Sequence, residues 1–227
     1  MDWDSPINEK DFLPYYALQE QLREKVIRED CLPATIQYVA GVDVAYNDLD
    51  QRMVGAIVVL DALSLELVDQ ATHEMDITFP YLPGLFSFRE LPPLLEAYKK
   101  LRILPNLIVC DAQGIAHPKG LGMASHLGIE LDRPTIGCAK KRLFGNYEAI
   151  QLGAERGSSQ PLMANHDQVG VVLRTQTNIK PMFVSLGHKI SLETAIGWVL
   201  KLCPIYRLPE TTRRADQLVN ALMKDRT

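Results

Sequence analysis

Apolar positions in the first third of the chain follow the two-residue period of β-strands. Over residues 36–46 the apolar side chains share one face, and Asp43 lies on the other. Residues 54–60 form a continuous apolar segment, and short alternating patterns follow at 63–67 and 75–79. These segments predict strands joined by short turns, in an antiparallel meander.

Short apolar segments later in the chain predict further strands, at residues 107–110, 135–139, 170–174 and 182–185. Helical segments separate them, so we expect helix-linked, parallel strands. The Gly, Ser, Pro and Asn content of residues 155–168 is typical of a surface loop.

Apolar residues at three- and four-residue spacing predict the helices. They cover residues 12–30, 89–101 and 210–222, a short segment around 123–127, and a helix capped by Ser191. Pro92 and Pro93 fit the second of these helices only in its first turn. The pattern predicts a mixed α/β sheet flanked by helices, and 227 residues suit a single domain, 1–227.

The balance of charges narrows the function classes. The chain has 24 basic and 28 acidic side chains, a net charge of −4, and 47% hydrophobic residues. This balance argues against a protein that coats DNA generically. It allows an enzyme with a local basic groove, because a metal-binding carboxylate cluster would itself add acidic residues.

The cysteines and the apolar segments bear on location. None of the four cysteines forms a Cys-x-x-Cys pair, which argues against a zinc ribbon and favours reduced core cysteines. The polar N-terminus lacks a signal-peptide pattern, and no apolar stretch reaches the ~18 residues of a membrane span. We expect a cytoplasmic protein without a membrane partner, and we expect it to be a monomer.

Three acidic residues stand where the local pattern does not favour an acid. Asp43 interrupts an apolar strand, and a buried carboxylate is costly without a partner or a metal. Asp111 ends an apolar segment, where it could also be an ordinary turn residue. Glu90 begins a helix, where the helix dipole alone would favour an acid.

Taken together, the three carboxylates predict a shared metal site. Like charges at close range raise each other's pKa values unless a cation neutralises them. The donors are all oxygens, with no histidine at ligand spacing, which suits Mg²⁺ or Mn²⁺ better than zinc. Mg²⁺ held by few carboxylates, with open positions for phosphate oxygens, is the chemistry of phosphodiester hydrolysis.

At this point six short motifs, in order and with compatible spacing, resemble the endonuclease V family from Tyr15 to Asp216. The motifs lie at residues 41–46 (GVDVAY), 79–90 (FPYLPG and FRE), 111–118 (DAQGIAHP), 136–141 (IGCAKK), 185–188 (SLGH) and 206–216 (YRLPE and RRAD). The resemblance implies an RNase H-like fold, which agrees with the meander and the mixed sheet.

The resemblance assigns roles to the charged residues. Asp43, Glu90 and Asp111 would form the metal site, for Mg²⁺ or for Mn²⁺ in its place. Asp216 would match the family's fourth acidic or histidine position, although it could be a solvated helix residue. Lys140 would contact the scissile phosphate, although it could belong to a solvated basic loop.

The same resemblance assigns a lesion-binding group. Tyr81 would enter the duplex as a wedge, where its alternative is a packed loop aromatic, and Leu82 and Pro83 accompany it. Gly84 and Gly114 lack a Cβ atom and would let the backbone approach a flipped base. His117 matches the family pattern and joins this group, although a core histidine is the alternative.

Three residues depart from the family pattern. Ala112 stands where glycine is expected after the metal-site aspartate and could alter the loop at the base pocket. Gly120 stands where arginine is expected and removes one phosphate contact. Thr211 stands where proline is common. None of these departures removes a presumed catalytic group.

The resemblance implies a metal-dependent deoxyinosine 3′ endonuclease. It would recognise deaminated bases in DNA, chiefly deoxyinosine, and cut the second phosphodiester 3′ of the lesion, leaving 3′-hydroxyl and 5′-phosphate ends. Two alternatives remain open: an endoribonuclease acting on inosine-containing RNA, and a non-catalytic nucleic-acid binding module. The binding module requires a decayed acidic set, whereas the acids are present.

Overall fold

The computed structural model describes residues 9–47 and 51–224, and its strands form one eight-stranded sheet. The strands are β1 (Tyr38–Asn47), β2 (Arg52–Asp61), β3 (Leu67–Asp76), β4 (Leu107–Cys110), β5 (Thr135–Ala139), β6 (Ser159–Ala164), β7 (Asp167–Leu173) and β8 (Met182–His188). Their order across the sheet is β3-β2-β1-β4-β5-β8-β7-β6.

The sheet is mixed, as the sequence predicts. Strands β1 to β3 form the antiparallel meander, and β4 and β5 run parallel to β1. The expectation that the later strands are also parallel is wrong, because β8, β7 and β6 form a second antiparallel meander against β5. A short connection between β6 and β7 forces this, since parallel neighbours need a long crossover.

Five α-helices cover the two faces of the sheet: α1 (Leu13–Arg23), α2 (Phe86–Tyr98), α3 (Met123–Leu131), α4 (Leu192–Leu202) and α5 (Glu210–Lys224). Helices α2 and α3 bury their apolar sides against one face, where Leu94 and Leu127 lie in the same core cluster as Ile57. Helices α4 and α5 cover the other face, where Val199 and Ala215 pack in the core. Among the described residues, no helix is long and apolar enough to cross a membrane.

Two glycines let helices lie directly on the meander. A Cβ atom on Gly41 of β1 would come within 2.1 Å of the Thr211 backbone carbon in the first turn of α5. A Cβ atom on Gly55 of β2 would come within 2.8 Å of the backbone carbon of Pro93 in α2. Both helices therefore approach the sheet more closely than any other residue type at these positions would allow.

Several predicted boundaries need correction. Helix α2 begins at Phe86 and not at residue 89, so Pro92 and Pro93 lie beyond its first turn. Helix α1 ends at Arg23 and not at residue 30. After Arg23 the chain forms a turn, in which the backbone N–H of Val26 donates to the Arg23 carbonyl at 3.2 Å. The periodic pattern continues past a helix that has already ended.

Two further segments differ from the predictions. The alternating residues 63–67 are mostly a turn, in which Leu65 has a φ of 59° and Leu63 is 87% exposed, so the meander has three strands. The surface loop predicted over residues 155–168 contains strand β6. This strand is at the edge of the sheet, where Pro161 is tolerated because one side needs no partner.

Thr211 offers a test of the packing between α5 and β1. Its side chain is fully buried, and its hydroxyl has no hydrogen-bond partner among the described residues. Replacing Thr211 by Val removes an unsatisfied polar group at almost constant volume. We expect the free energy of unfolding to rise by about 1 kcal/mol. Urea denaturation at constant m-value measures the change.

Thr212 supplies the matched control. It is also buried, but its hydroxyl donates to the Pro209 carbonyl at 3.1 Å. The Thr212→Val variant should therefore lose about 1 kcal/mol. An equal loss in both variants would contradict the unsatisfied state of Thr211.

Candidate active site

The parallel pairing of β1 with β4 places two of the predicted acids side by side. Val42 pairs with Cys110, so Asp43 and Asp111 are the next residues on neighbouring strands. Neighbouring strands are about 4.8 Å apart, so the two side chains lie close together. Asp43 is half-buried, and the Asp111 side chain is 19% exposed.

Helices α5 and α2 bring two further carboxylates to this place. Asp216 of α5 is half-buried and close enough for its charge to act on Asp43. Glu90 of α2 is 7% exposed and is affected by the charges of Asp43 and Asp111. The structure thus brings together all four acids that the sequence analysis singled out.

Burial and repulsion raise the pKa values of two of these acids. Burial raises the pKa of Asp43 to about 6, and the negative charges of Asp216 and Asp111 add to the effect. Burial raises the pKa of Glu90 to about 8, helped by Asp43 and Asp111 and opposed by a hydrogen bond from Tyr46. The ionised cluster therefore needs more positive charge than the surrounding protein supplies.

Lys140 is a cation that faces the cluster from the side of Asp111. It follows β5 directly, and its ammonium group forms an ion pair with the Asp111 carboxylate. Burial alone would lower the pKa of Lys140, but the hydrogen bond and charge of Asp111 outweigh it and raise this pKa. Lys140 is therefore a fixed positive charge beside Asp111.

Two side chains that the sequence analysis missed hold the backbone around Lys140. Arg207 donates to the carbonyl of Lys140 at 3.0 Å and to that of Pro181 at 2.8 Å. Gln113 donates through Nε2 to the carbonyl of Lys141 at 3.0 Å. Both residues lie inside the motifs shared with the family, and their position in these motifs is the one feature of the sequence that could have pointed to them.

A third residue that the sequence analysis missed is Tyr46, the last residue of the first motif. Its hydroxyl donates to Glu90 Oε1 at 2.7 Å. The guanidinium of Arg89 lies 4.7 Å from the centre of the Tyr46 ring and donates to the Phe79 carbonyl at 2.9 Å. These contacts connect Glu90 to the start of the segment that carries Tyr81.

A cavity of about 440 Å³ opens beside the acidic cluster. Asp111 and Lys140 form part of its wall, so the cavity and the cluster share two residues. Most of the remaining wall is apolar. It is formed by Tyr81, Pro83, Gly84, Phe86, Ser87, Ala112, Gln113, His117, Leu121, Gly122, Met123, Ala139, Lys141 and Leu143.

Four of the predicted lesion-binding residues line this cavity: Tyr81, Pro83, Gly84 and His117. Leu82 does not line it and packs instead against the buried Phe79 and Leu85. Gly114 is also outside the wall, since a Cβ atom there would lie 1.9 Å from the Leu186 carbonyl oxygen of β8. Close packing of this loop against β8 by itself requires a glycine at this position.

The segment around Tyr81 is exposed at its tip and fixed at its base. Tyr81 is 64% exposed and meets Phe86 edge-on, with ring centres 6.2 Å apart. Gln19 of α1 donates to the Gly84 carbonyl at 2.8 Å and to the Leu121 carbonyl at 3.2 Å. These hydrogen bonds hold the base of the segment in place, so the exposed Tyr81 ring is presented from a fixed support.

Two of the departures from the family pattern have a structural explanation. Ala112 lines the cavity, so its methyl group occupies space beside the acidic cluster. Gly120 has a φ of 68°, and a Cβ atom there would lie 2.8 Å from the Arg23 side chain of α1. A larger residue at position 120 would have to displace the Arg23 side chain and adopt a left-handed backbone conformation that favours glycine.

The donor set fits a hard divalent cation. In residues 9–47 and 51–224, no three acidic, histidine or cysteine side chains converge closely enough to share one ion as they stand. Asp111 is engaged by Lys140, and Glu90 by Tyr46. The chemistry nevertheless suits Mg²⁺ or Mn²⁺, because the donors are oxygens, and burial together with mutual repulsion raises the pKa values of Asp43 and Glu90.

The fold and the position of the acids define the class of protein. The order β3-β2-β1-β4-β5, with a meander followed by two strands parallel to β1, is RNase H-like. Asp43 within β1 and Asp111 directly after β4 give this fold an acidic site, and the two features together define a nuclease.

Comparisons with known proteins identify the family. The sequence profile named Endonuclease V matches residues 20–217. Endonuclease V from Nostoc punctiforme is 50% identical over 219 residues, covering 96% of this chain and 96% of that protein. The chain belongs to the endonuclease V family, whose members are generally metal-dependent.

Solved structures agree with this assignment. The crystal structure of endonuclease V from Streptomyces avermitilis has a TM-score of 0.89 and 46% identity, covering 99% of this chain and 96% of that chain. A Ciona intestinalis endonuclease V, in complex with a 23mer DNA containing an inosine followed by a ribo-adenosine, has a TM-score of 0.85. It is 27% identical and covers 96% of this chain and 99% of that chain.

The raised pKa values predict how pH affects stability in the absence of metal. An acid whose pKa is higher in the folded state favours folding when protonated. This contribution is complete below about pH 4, the ordinary carboxyl pKa, and is lost as the pH rises through about 6 for Asp43 and about 8 for Glu90. In EDTA, we expect the free energy of unfolding to fall by roughly a few kcal/mol from about pH 5 to about pH 9.

Urea titrations across this pH range measure the effect, and the Glu90→Gln variant is the control. It should flatten the upper part of the profile, because the group that ionises near pH 8 is gone. Saturating Mg²⁺ should reduce the fall in the wild type. A stability that rises with pH in EDTA would contradict the assignment.

Proposed function

We propose that this protein hydrolyses DNA at deaminated bases, chiefly deoxyinosine, and cuts the second phosphodiester 3′ of the lesion, leaving 3′-hydroxyl and 5′-phosphate ends. The observation that carries the proposal is the cavity of about 440 Å³ whose wall includes Asp111 and Lys140. A base held there would place its own strand beside the acidic cluster. The inosine-containing DNA bound by the Ciona relative supports the same substrate class.

Asp43, Glu90 and Asp111 would hold Mg²⁺, or Mn²⁺ in its place, with Asp216 as the fourth carboxylate of the cluster. A bound ion would supply an activated water and stabilise charge on the leaving 3′-oxygen. The chain places these carboxylates on a strand pair and two helices, so their spacing is rigid. Lys140 would neutralise a non-bridging phosphate oxygen, because its ammonium group lies at the junction of cavity and cluster.

His117 gives the cavity a means of reading the base. Burial lowers its pKa to about 4, so the ring is neutral at pH 7. Its Nδ1 accepts from the backbone N–H of Lys119 at 3.2 Å, which leaves the proton on Nε2. An N–H donor of this kind suits the O6 acceptor of hypoxanthine and not the N6 amine of adenine.

Tyr81 would supply the force that keeps the base out of the stack. Its ring is exposed at the rim of the cavity, and its segment is fixed by Gln19 through the Gly84 carbonyl. The ring would fill the gap left in the duplex and stack on the neighbouring bases. Extrusion costs least where pairing is already weak, which favours deaminated bases.

A second candidate function is cleavage of inosine-containing RNA. It is favoured by the ribo-adenosine that follows the inosine in the DNA bound by the Ciona relative. A 2′-hydroxyl requirement next to the cut distinguishes the two activities.

The four free cysteines, of which Cys110, Cys138 and Cys203 are buried, suit the reducing cytoplasm, where we place the enzyme.

The direct test of the proposed function uses end-labelled duplexes with one deoxyinosine, with or without one ribonucleotide on its 3′ side. We expect a Mg²⁺-dependent nick at the second phosphodiester 3′ of inosine in the all-DNA duplex, and its loss in EDTA. Cleavage confined to the ribonucleotide-containing duplex would instead establish the RNA activity.

The Asp43→Asn variant tests the metal carboxylates. We expect the rate to fall at least about a hundredfold, since the loss of a ligand costs at least as much as the loss of a supporting group. Binding to inosine DNA in Ca²⁺ should persist. Stability at pH 8 should not fall, because the variant removes a carboxylate that is costly to ionise. Full turnover by this variant would falsify the site.

The Tyr81→Ala variant separates recognition from chemistry. Stacking of a ring on a base contributes about 1–3 kcal/mol, so cleavage of inosine duplex should fall on the order of tenfold or more. The defect should shrink on single-stranded inosine DNA, which has no stack to replace. Tyr81→Phe, the control, should behave as wild type because a wedge needs the ring. An unchanged ratio of duplex to single-strand rates in Tyr81→Ala would rule out the wedge.

A further inference from the structure

Glu90 is almost completely buried, yet its carboxylate is held by a group outside its own helix. It is 7% exposed, and the Tyr46 hydroxyl of β1 donates to its Oε1 at 2.7 Å. The terminal torsion of a glutamate is soft, so packing alone orients a carboxylate poorly. The hydrogen bond selects one orientation of the two oxygens.

The Tyr46 ring is itself fixed from the side of α2. The Arg89 guanidinium lies 4.7 Å from the ring centre and donates to the Phe79 carbonyl at 2.9 Å. Phe79 packs in the aromatic cluster that supports the Tyr81 segment. The hydroxyl therefore reaches Glu90 from a ring that is clamped between the strand and the helix.

We propose that Tyr46 is a positioning residue, which orients the Glu90 carboxylate for a divalent cation by occupying Oε1 and leaving Oε2 free. The inference rests on the proposed function, because it gives Glu90 a metal to hold. Tyr46 touches neither substrate nor metal in this role. Its hydrogen bond also favours the charged form of Glu90 against the repulsion of Asp43 and Asp111.

The test compares Tyr46→Phe with a matched control on the same helix as Glu90. Tyr98 ends α2, and its hydroxyl accepts a hydrogen bond from Arg133 Nε at 3.2 Å, away from the acidic cluster. Both substitutions remove one hydrogen-bonded hydroxyl and keep the ring. A purely structural role for Tyr46 predicts similar effects in the two variants.

The primary measurement is binding of Mn²⁺ alone, followed by the electron paramagnetic resonance signal of the free ion. Groups that orient metal ligands affect affinity by 10–100-fold, so we expect Tyr46→Phe to bind Mn²⁺ about tenfold more weakly than wild type. The Mg²⁺ concentration for half-maximal single-turnover cleavage should rise by a similar factor. The rate at saturating Mg²⁺ should return to within about twofold of wild type, and Tyr98→Phe should match wild type throughout.

A double-mutant cycle with Glu90→Gln keeps the test decisive if Tyr46→Phe alone is unstable. In the Glu90→Gln background, Tyr46→Phe should cost no further Mn²⁺ affinity, because the carboxylate that it orients is gone. Wild-type Mn²⁺ affinity in Tyr46→Phe, an equal loss in Tyr98→Phe, or additive losses in the cycle would each overturn the proposal. Failure of the wild type to bind Mn²⁺ would overturn the proposed function as well, so the two failures are distinguishable.

Discussion

The pairing of β1 with β4 is the interaction on which the rest of the site depends. It places Asp43, in the middle of β1, beside Asp111, which directly follows β4, so that the two partly buried carboxylates lie close to each other. The groups around this pair offset the resulting excess of negative charge. Lys140 pairs with Asp111, Tyr46 donates to Glu90, and a divalent cation would complete the neutralisation.

Close helix packing turns this pair into a four-carboxylate cluster. Helix α5 reaches Asp43 only because Gly41 lets the backbone of Thr211 rest on the strand. Helix α2 lies against Gly55 through Pro93, one turn beyond Glu90. Burial, and after it the repulsion among these carboxylates, raises the pKa values of Asp43 and Glu90. The packed sheet and helices hold the acids in place despite this cost.

The sequence predicted what depends on local pattern. Asp43 and Asp111 were identifiable because each interrupts or ends an apolar strand, and the strands around them were placed almost to the residue. The motifs added Asp216, Lys140 and Tyr81, whose local sequence carries no comparable signal. The pattern failed where tertiary contacts override it, as in α1, which ends at Arg23 although apolar residues continue, and in edge strand β6.

The supporting contacts were beyond the reach of sequence reasoning. Tyr46 occupies an ordinary alternating position in a strand, and its contact with Glu90 joins residues 44 positions apart. Arg207 and Gln113 bind backbone carbonyls, which any sequence provides, so their side chains carry no specific pattern. A glycine at position 114 predicts close approach of another group, but the sequence does not reveal that β8 makes such an approach.

Under the proposed function, the shared wall of the cavity and the acidic cluster would act as a molecular ruler. Residues 111–113 run from the cluster into the cavity wall without a break, so this covalent segment would help to fix the distance between a bound base and the reacting phosphate. A change elsewhere in the walls that admits a different base would then leave the position of the cut unchanged.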